Sequence, residues 1–150
     1  MDNSKKSIDV GKTVAAYCMG NKETYDFLDE NPTVEFKTID CVNNPLVIAR
    51  NRLMIAINSA MEIDLTGQAT TAESLRGSFY FGVDGQTDFM RGTVLAPDGE
   101  SILALPSSAI NDTISRIAPP LQEGTGVTLT RGGVRCVVTS TALPTPTALT

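Results

Sequence analysis

Leu53-Met54-Ile55-Ala56-Ile57-Asn58-Ser59-Ala60-Met61-Glu62-Ile63-Asp64-Leu65-Thr66-Gly67-Gln68-Ala69-Thr70-Thr71 is the stretch whose pattern decides the fold class. Leu53 to Ile57 is an apolar run of strand length. Glu62 to Leu65 alternates polar and apolar side chains, which a strand sends to opposite faces. Thr66-Gly67-Gln68 then turns the chain back into Ala69-Thr70-Thr71, so a β-hairpin is expected. Glu62 and Asp64 stand two apart and share a face. They could pair for acid–base work, but a solvated strand face is the expectation.

Downstream, Phe79-Tyr80-Phe81 leads into the loop Gly82-Val83-Asp84-Gly85, and Gln86 to Leu95 has helical spacing with Phe89, Met90 and Val94 apolar. Pro97-Asp98-Gly99 is a turn. Ser101 to Leu105, Thr113 to Ala118 and Val134 to Thr139 are expected strands. Upstream, Thr13 to Met19 is expected as a buried strand ended by Gly20. Asn21 caps a helix running to about Asp29, which Asn31-Pro32 stops. Thr33 to Ile39 alternates as a strand, and Asn44-Pro45 opens a short helix to about Arg50, with Asn as cap and Pro at its first position. Strands interleaved with short helices, with no internal repeat, predict an α/β fold: a single open mixed-sheet domain with flanking helices over residues 1–139. Residues 140–150 contain only Ser, Thr, Ala, Leu and Pro and are expected to be a disordered tail.

The 150 residues suit one domain with its own core. With 12 basic and 17 acidic side chains the formal net charge is −5, which argues against nucleic-acid or anionic-membrane partners. Phosphate binding by a few arginines and backbone N–H groups stays open. There is no histidine, so a His-dependent triad or base is excluded. Cys18, Cys41 and Cys136 are widely spaced, which makes a zinc site improbable and predicts buried thiols in a reducing cytoplasm. The start, Met1-Asp2-Asn3-Ser4-Lys5-Lys6, does not resemble a signal peptide, and no run approaches the roughly 18 apolar residues of a membrane span.

One loop could carry chemistry. Gly82-Val83-Asp84-Gly85 enters the Gln86 helix, and such a turn can point backbone N–H groups at an anion or a developing oxyanion. The residues alone favour a tight strand-to-helix turn. Asn43 and Asn44 precede Pro45, and they favour helix capping over orientation of a carboxylate or thioester. Arg50, Arg52, Arg91 and Arg116 are candidate phosphate contacts, most of them expected as surface charges.

Longer stretches carry a resemblance. Asn43-Asn44-Pro45-Leu46-Val47-Ile48-Ala49, the block Ala56 to Gln68, the loop and helix Gly82 to Gly92, Leu105-Pro106-Ser107-Ser108-Ala109 and Val137-Val138-Thr139 occur in that order. Together they resemble the acetyl-CoA hydrolase/transferase family, which includes 4-hydroxybutyrate and succinyl-CoA:acetate CoA-transferases. The resemblance runs from roughly Asn3 to Thr139 and corresponds to the C-terminal domain.

The resemblance implies covalent catalysis by a carboxylate: a glutamate attacks an acyl-CoA thioester, giving a mixed anhydride and then an enzyme–CoA thioester. Gly85 N–H would donate to the oxyanion, and Asn43 would lie beside the reacting carboxylate or thioester. Gly82, Gly85, Gln86, Asp88 and Phe89 would contact coenzyme A. Acyl-CoA and a small carboxylate would be the substrates, with no metal and no permanently bound cofactor. The family glutamate lies upstream of the point that Met1 matches, and none of Glu23, Glu30 or Glu35 occupies its place. The chain is therefore expected to be inactive alone, or to be completed by a separate chain that brings the glutamate. A non-catalytic homo-oligomer is the third expectation. Asp84 departs from the family's glycine loop, and Gly133, Arg135 and Cys136 stand where Asp, His and Tyr are common. Family chains continue after Val-Val-Thr with Glu-Tyr-Gly. One coding of the tail restores that continuation if a single base is added after the Thr139 codon, so a frameshifted tail is expected.

Overall fold

The computed structural model describes residues 3–71, 85–140 and the backbone of 145–146. Near its start, β1 (Thr13–Ala15) and β2 (Val34–Phe36) lie parallel, with Thr13 opposite Val34 and Ala15 opposite Phe36. A parallel pair needs a crossover, and α1 (Lys22–Leu28) is part of it. Asn21 Oδ1 accepts the Thr24 N–H at 3.0 Å, the expected cap. The strand expected through Met19 stops at Ala15. Tyr17 and Met19 are 72% and 84% exposed, so their apolar character is not spent on burial.

Two short helices follow, α2 (Ile39–Val42) and α3 (Pro45–Ile48). Ile39 thus opens a helix instead of closing the preceding strand. Asn44 Oδ1 accepts the Leu46 N–H at 2.9 Å, and Pro45 occupies the first turn, where its missing N–H costs nothing.

Leu53 does not start the next strand. It adopts φ +56° and donates its N–H to Pro97 O at 2.9 Å, so β3 runs over Ile55–Ser59. The expected hairpin is formed by β4 (Glu62–Asp64) and β5 (Ala69–Thr70), with Ile63 opposite Ala69. Asp64 is 5% exposed, which corrects the expectation of a solvated face. Its carboxylate holds the turn: Oδ1 accepts from Thr66 N at 2.8 Å, Thr66 Oγ1 at 2.6 Å and Gln68 N at 3.0 Å. Desolvation acts to raise its pKa, but these bonds overcome it and lower the carboxyl to about 2.

α4 (Gly85–Leu95) leads through the Pro97-Asp98-Gly99 turn into β6 (Glu100–Leu105). β3, β6 and β10 (Cys136–Thr139) are parallel neighbours. Thr145–Pro146, inside the tail expected to be disordered, form β11 antiparallel to β10. α4 covers one face of this mixed sheet. Met90 and Leu103 are fully buried there, among Ala56, Leu105, Val134 and Leu129. Full burial of each methionine, leucine or valine there contributes about 1.5–3 kcal/mol. The opposite face shows Ile55 and Ile57, 58% and 67% exposed, in register with Glu100 and half-buried Ile102.

The strand expected over Thr113 to Ala118 is divided. β7 (Ser108–Ala109) pairs with β8 (Ile114–Ser115), while β9 (Ile117–Ala118) runs parallel to β4. The switch falls on Arg116, whose N–H donates to Ser107 O and whose carbonyl accepts from Ile63 N, both at 3.0 Å. The α/β architecture is as expected, with the strands of the described residues distributed among four small sheets. Cys18, Cys41 and Cys136 are half-buried, not buried as expected.

Candidate functional site

A cleft of about 1320 Å³ opens where the N-terminus of α4, the end of β3 and the α2–α3 junction meet. Its described lining includes Asn43, Asn44, Gly85, Gln86, Asp88, Phe89 and Arg116. Five of the six positions that the resemblance marks for catalysis or coenzyme A therefore lie on one surface. The sixth, Gly82, lies outside the described residues, as does Asp84.

The first turn of α4 is fixed from two sides. Gln86 Nε2 donates to Ser59 O at 2.5 Å, tying the helix to the end of β3. Thr87 Oγ1, buried, donates to Thr128 O at 2.9 Å. Gly85 opens the helix, and a Cβ there would fall 3.2 Å from Asn43 Cγ and nearer still to Asn43 Nδ2. Glycine leaves room for the Asn43 side chain in this position, and its own backbone angle does not demand it.

The two asparagines have separate tasks. Asn44 caps α3, as its position before Pro45 predicts. Asn43 ends α2, its N–H donating to Ile39 O at 2.8 Å, and its side-chain amide has no hydrogen bond among the described residues. That amide offers donors and an acceptor to the cleft. Gly85 stands at the described start of α4, and the N-terminal end of a helix favours negative charge. The arrangement suits a developing oxyanion held beside an amide.

Of the four candidate arginines, Arg116 lines the cleft. Arg50 and Arg91 are exposed, and Arg52 pairs with Asp98 at 3.1 Å. Sequence reasoning did not identify the contributions of Ala15, Ala16 and Tyr17 or of Ser59 and Met61, which reach the cleft only through the packing of separate units. The described lining contains two aspartates, Asp40 and Asp88, and no glutamate. Glu23 and Glu30 are exposed, and Glu35 lies 3.7 Å from Lys37, away from the cleft lining. No cluster of three or more metal-ligating side chains occurs among the described residues, and no described helix is long and apolar enough to cross a membrane.

The model of the acetyl-CoA hydrolase/transferase C-terminal domain matches residues 20–141. The chain belongs to this family. It is 45% identical over 139 residues to the 4-hydroxybutyrate coenzyme A transferase of Clostridium kluyveri, covering 93% of the chain and 32% of that protein. RipA from Yersinia pestis superposes with a TM-score of 0.84 at 36% identity, over 91% of the chain and 30% of RipA. The 4-hydroxybutyrate CoA-transferase of Porphyromonas gingivalis superposes with a TM-score of 0.75 at 40% identity, over 92% of the chain and 30% of that enzyme. This acetyl-CoA hydrolase/transferase domain thus spans about a third of the length of the relatives it matches.

Proposed function

We propose that this domain forms one wall of a coenzyme-A-thioester site, supplying oxyanion stabilisation and substrate orientation while the nucleophile comes from outside its 150 residues. The observation that carries this reading is the packing of Gly85 on Asn43 at the head of α4, facing the cleft. The Gly85 N–H donates to the tetrahedral oxyanion, and the Asn43 amide orients the reacting carboxylate or thioester. Gln86, Asp88 and Phe89 form the adjoining coenzyme A contact surface. The absence of glutamate from the described lining supports a nucleophile delivered by another segment or chain. The substrates are an acyl-CoA and a small carboxylate, and the isolated chain turns over neither. Co-expression with the part of the Clostridium kluyveri relative that this chain does not cover tests the reading. Exchange between acetyl-CoA and butyrate should appear in the pair and fall on substitution of Gly85. A pair that assembles and binds acetyl-CoA but shows no exchange contradicts it.

A second reading rests on the exposed face of the mixed sheet. Ile55 and Ile57 lie side by side with half-buried Ile102, Ala104 and Val138, an apolar surface of the kind that other polypeptide covers. A homo-oligomer formed through this face accounts for its composition.

A further inference from the structure

We propose that Arg116 anchors the small aliphatic carboxylate substrate in this cleft, an assignment that rests on the function proposed above. Arg116 is the residue at which the chain leaves the β7–β8 hairpin to join β4. Its N–H donates to Ser107 O and its carbonyl accepts from Ile63 N, so two sheets fix its position.

The side chain is equally constrained. Nη1 donates to Met61 O at 2.8 Å and lies 3.4 Å from Met61 Sδ, while Nε donates to Ser108 O at 3.4 Å. A guanidinium has five N–H donors. The two on Nη2 have no acceptor among the described residues, and no described carboxylate lies within ion-pair distance of Arg116. Among the described residues this half-buried cation meets no counter-charge, and an unpaired charge drawn out of water costs solvation energy. An arriving anion removes that cost and finds the donors already oriented.

The lining also selects the class of anion. Arg116 is the one cation among the described lining residues, which also include Asp40 and Asp88. One guanidinium does not neutralise a polyphosphate. A singly charged carboxylate matches the guanidinium, and Ala60, Met61, Phe89 and Pro106 offer apolar contact to a short aliphatic chain.

NMR titration of the full 150-residue chain tests this without coenzyme A. The probes are sodium butyrate and sodium acetate, against sodium chloride at matched ionic strength and against inorganic phosphate. The Arg116 Nε–H and Gly85 amide resonances should shift saturably with butyrate and acetate, more tightly than with phosphate, and stay still in chloride. Arg116→Met should abolish the Gly85 shift. Arg116→Lys, which keeps the charge and loses the fork, should weaken butyrate binding at least about fivefold while the chain stays folded, and it decides the matter if the methionine variant does not fold. Equal affinity in the lysine variant, or shifts that follow ionic strength alone, overturns the assignment. Butyrate binding at Arg116 without exchange in the reconstituted pair would refute the catalytic reading alone, and exchange without Arg116-dependent binding would refute the carboxylate assignment alone.

Discussion

The side chain of Asn43 fills the space that a Cβ on Gly85 would need, its Cγ 3.2 Å from that position and its Nδ2 nearer. A residue at the end of a four-residue helix and one at the start of an 11-residue helix are thereby locked together at the mouth of the cleft. Neither can be altered without the other registering the change.

Gly85→Ala should displace the Asn43 side chain and so forfeit the roughly 1 kcal/mol by which alanine normally favours a helix over glycine. In an Asn43→Ala background the overlap is gone, and the same substitution should be neutral or stabilising. A double-mutant cycle by urea denaturation measures this. Equal costs in both backgrounds would show that the two side-chain positions are not in contact.

Gly92 tests the scaffold behind the site. A Cβ there would lie 2.6 Å from Ile48 Cβ and 3.0 Å from Pro45 O, so α4 and α3 approach through this glycine. Gly92→Ala should cost about 1–3 kcal/mol and shift the Asn43 resonances, because α3 follows Asn43 directly. A variant of wild-type stability with an unmoved Asn43 amide would rule out the close approach.

Asp64 gives the chain an acid-sensitive turn. Its folded pKa of about 2 lies below the ordinary 3.8, so its contribution is fully present above pH 4 and is lost as pH falls through about 2. The size is about 2 kcal/mol. Asp64→Asn should lower the melting temperature at pH 6 and make it less dependent on pH between 4 and 2. Parallel melting curves for the two proteins across that range would contradict this.

The exposed sheet face predicts association. Sedimentation should show a dimer, and Ile57→Glu should shift it toward the 16.0 kDa monomer while preserving the circular dichroism spectrum. A monomeric wild-type chain at high concentration would refute the homo-oligomer reading.

Local signals in the sequence identified the local devices. Asn21 and Asn44 cap their helices, Thr66-Gly67-Gln68 turns the hairpin, and Gln86 to Leu95 forms a helix, because each is written within a few adjacent residues. Boundaries set by distant partners were not legible. Leu53 is held out of its strand by Pro97, and Arg116 divides its strand by answering to both Ser107 and Ile63. Burial of Asp64 was hidden for a similar reason: alternation marks a face but not which side meets the core. In the site, Gly85 and Asn43 were indicated by family resemblance, whereas composition alone favoured a turn and a cap. The role of Arg116 in the cleft depends on carbonyls at Met61 and Ser108, separated from it by 55 and 8 positions.

The central claim is that this domain carries the oxyanion wall and not the nucleophile. Isotope exchange between labelled acetate and acetyl-CoA, measured with the purified chain alone, tests it most directly. No turnover above the buffer rate is expected, since preorganised donors without a nucleophile form no acyl-enzyme. Turnover that is abolished by Gly85→Pro would reveal a complete local site and contradict it.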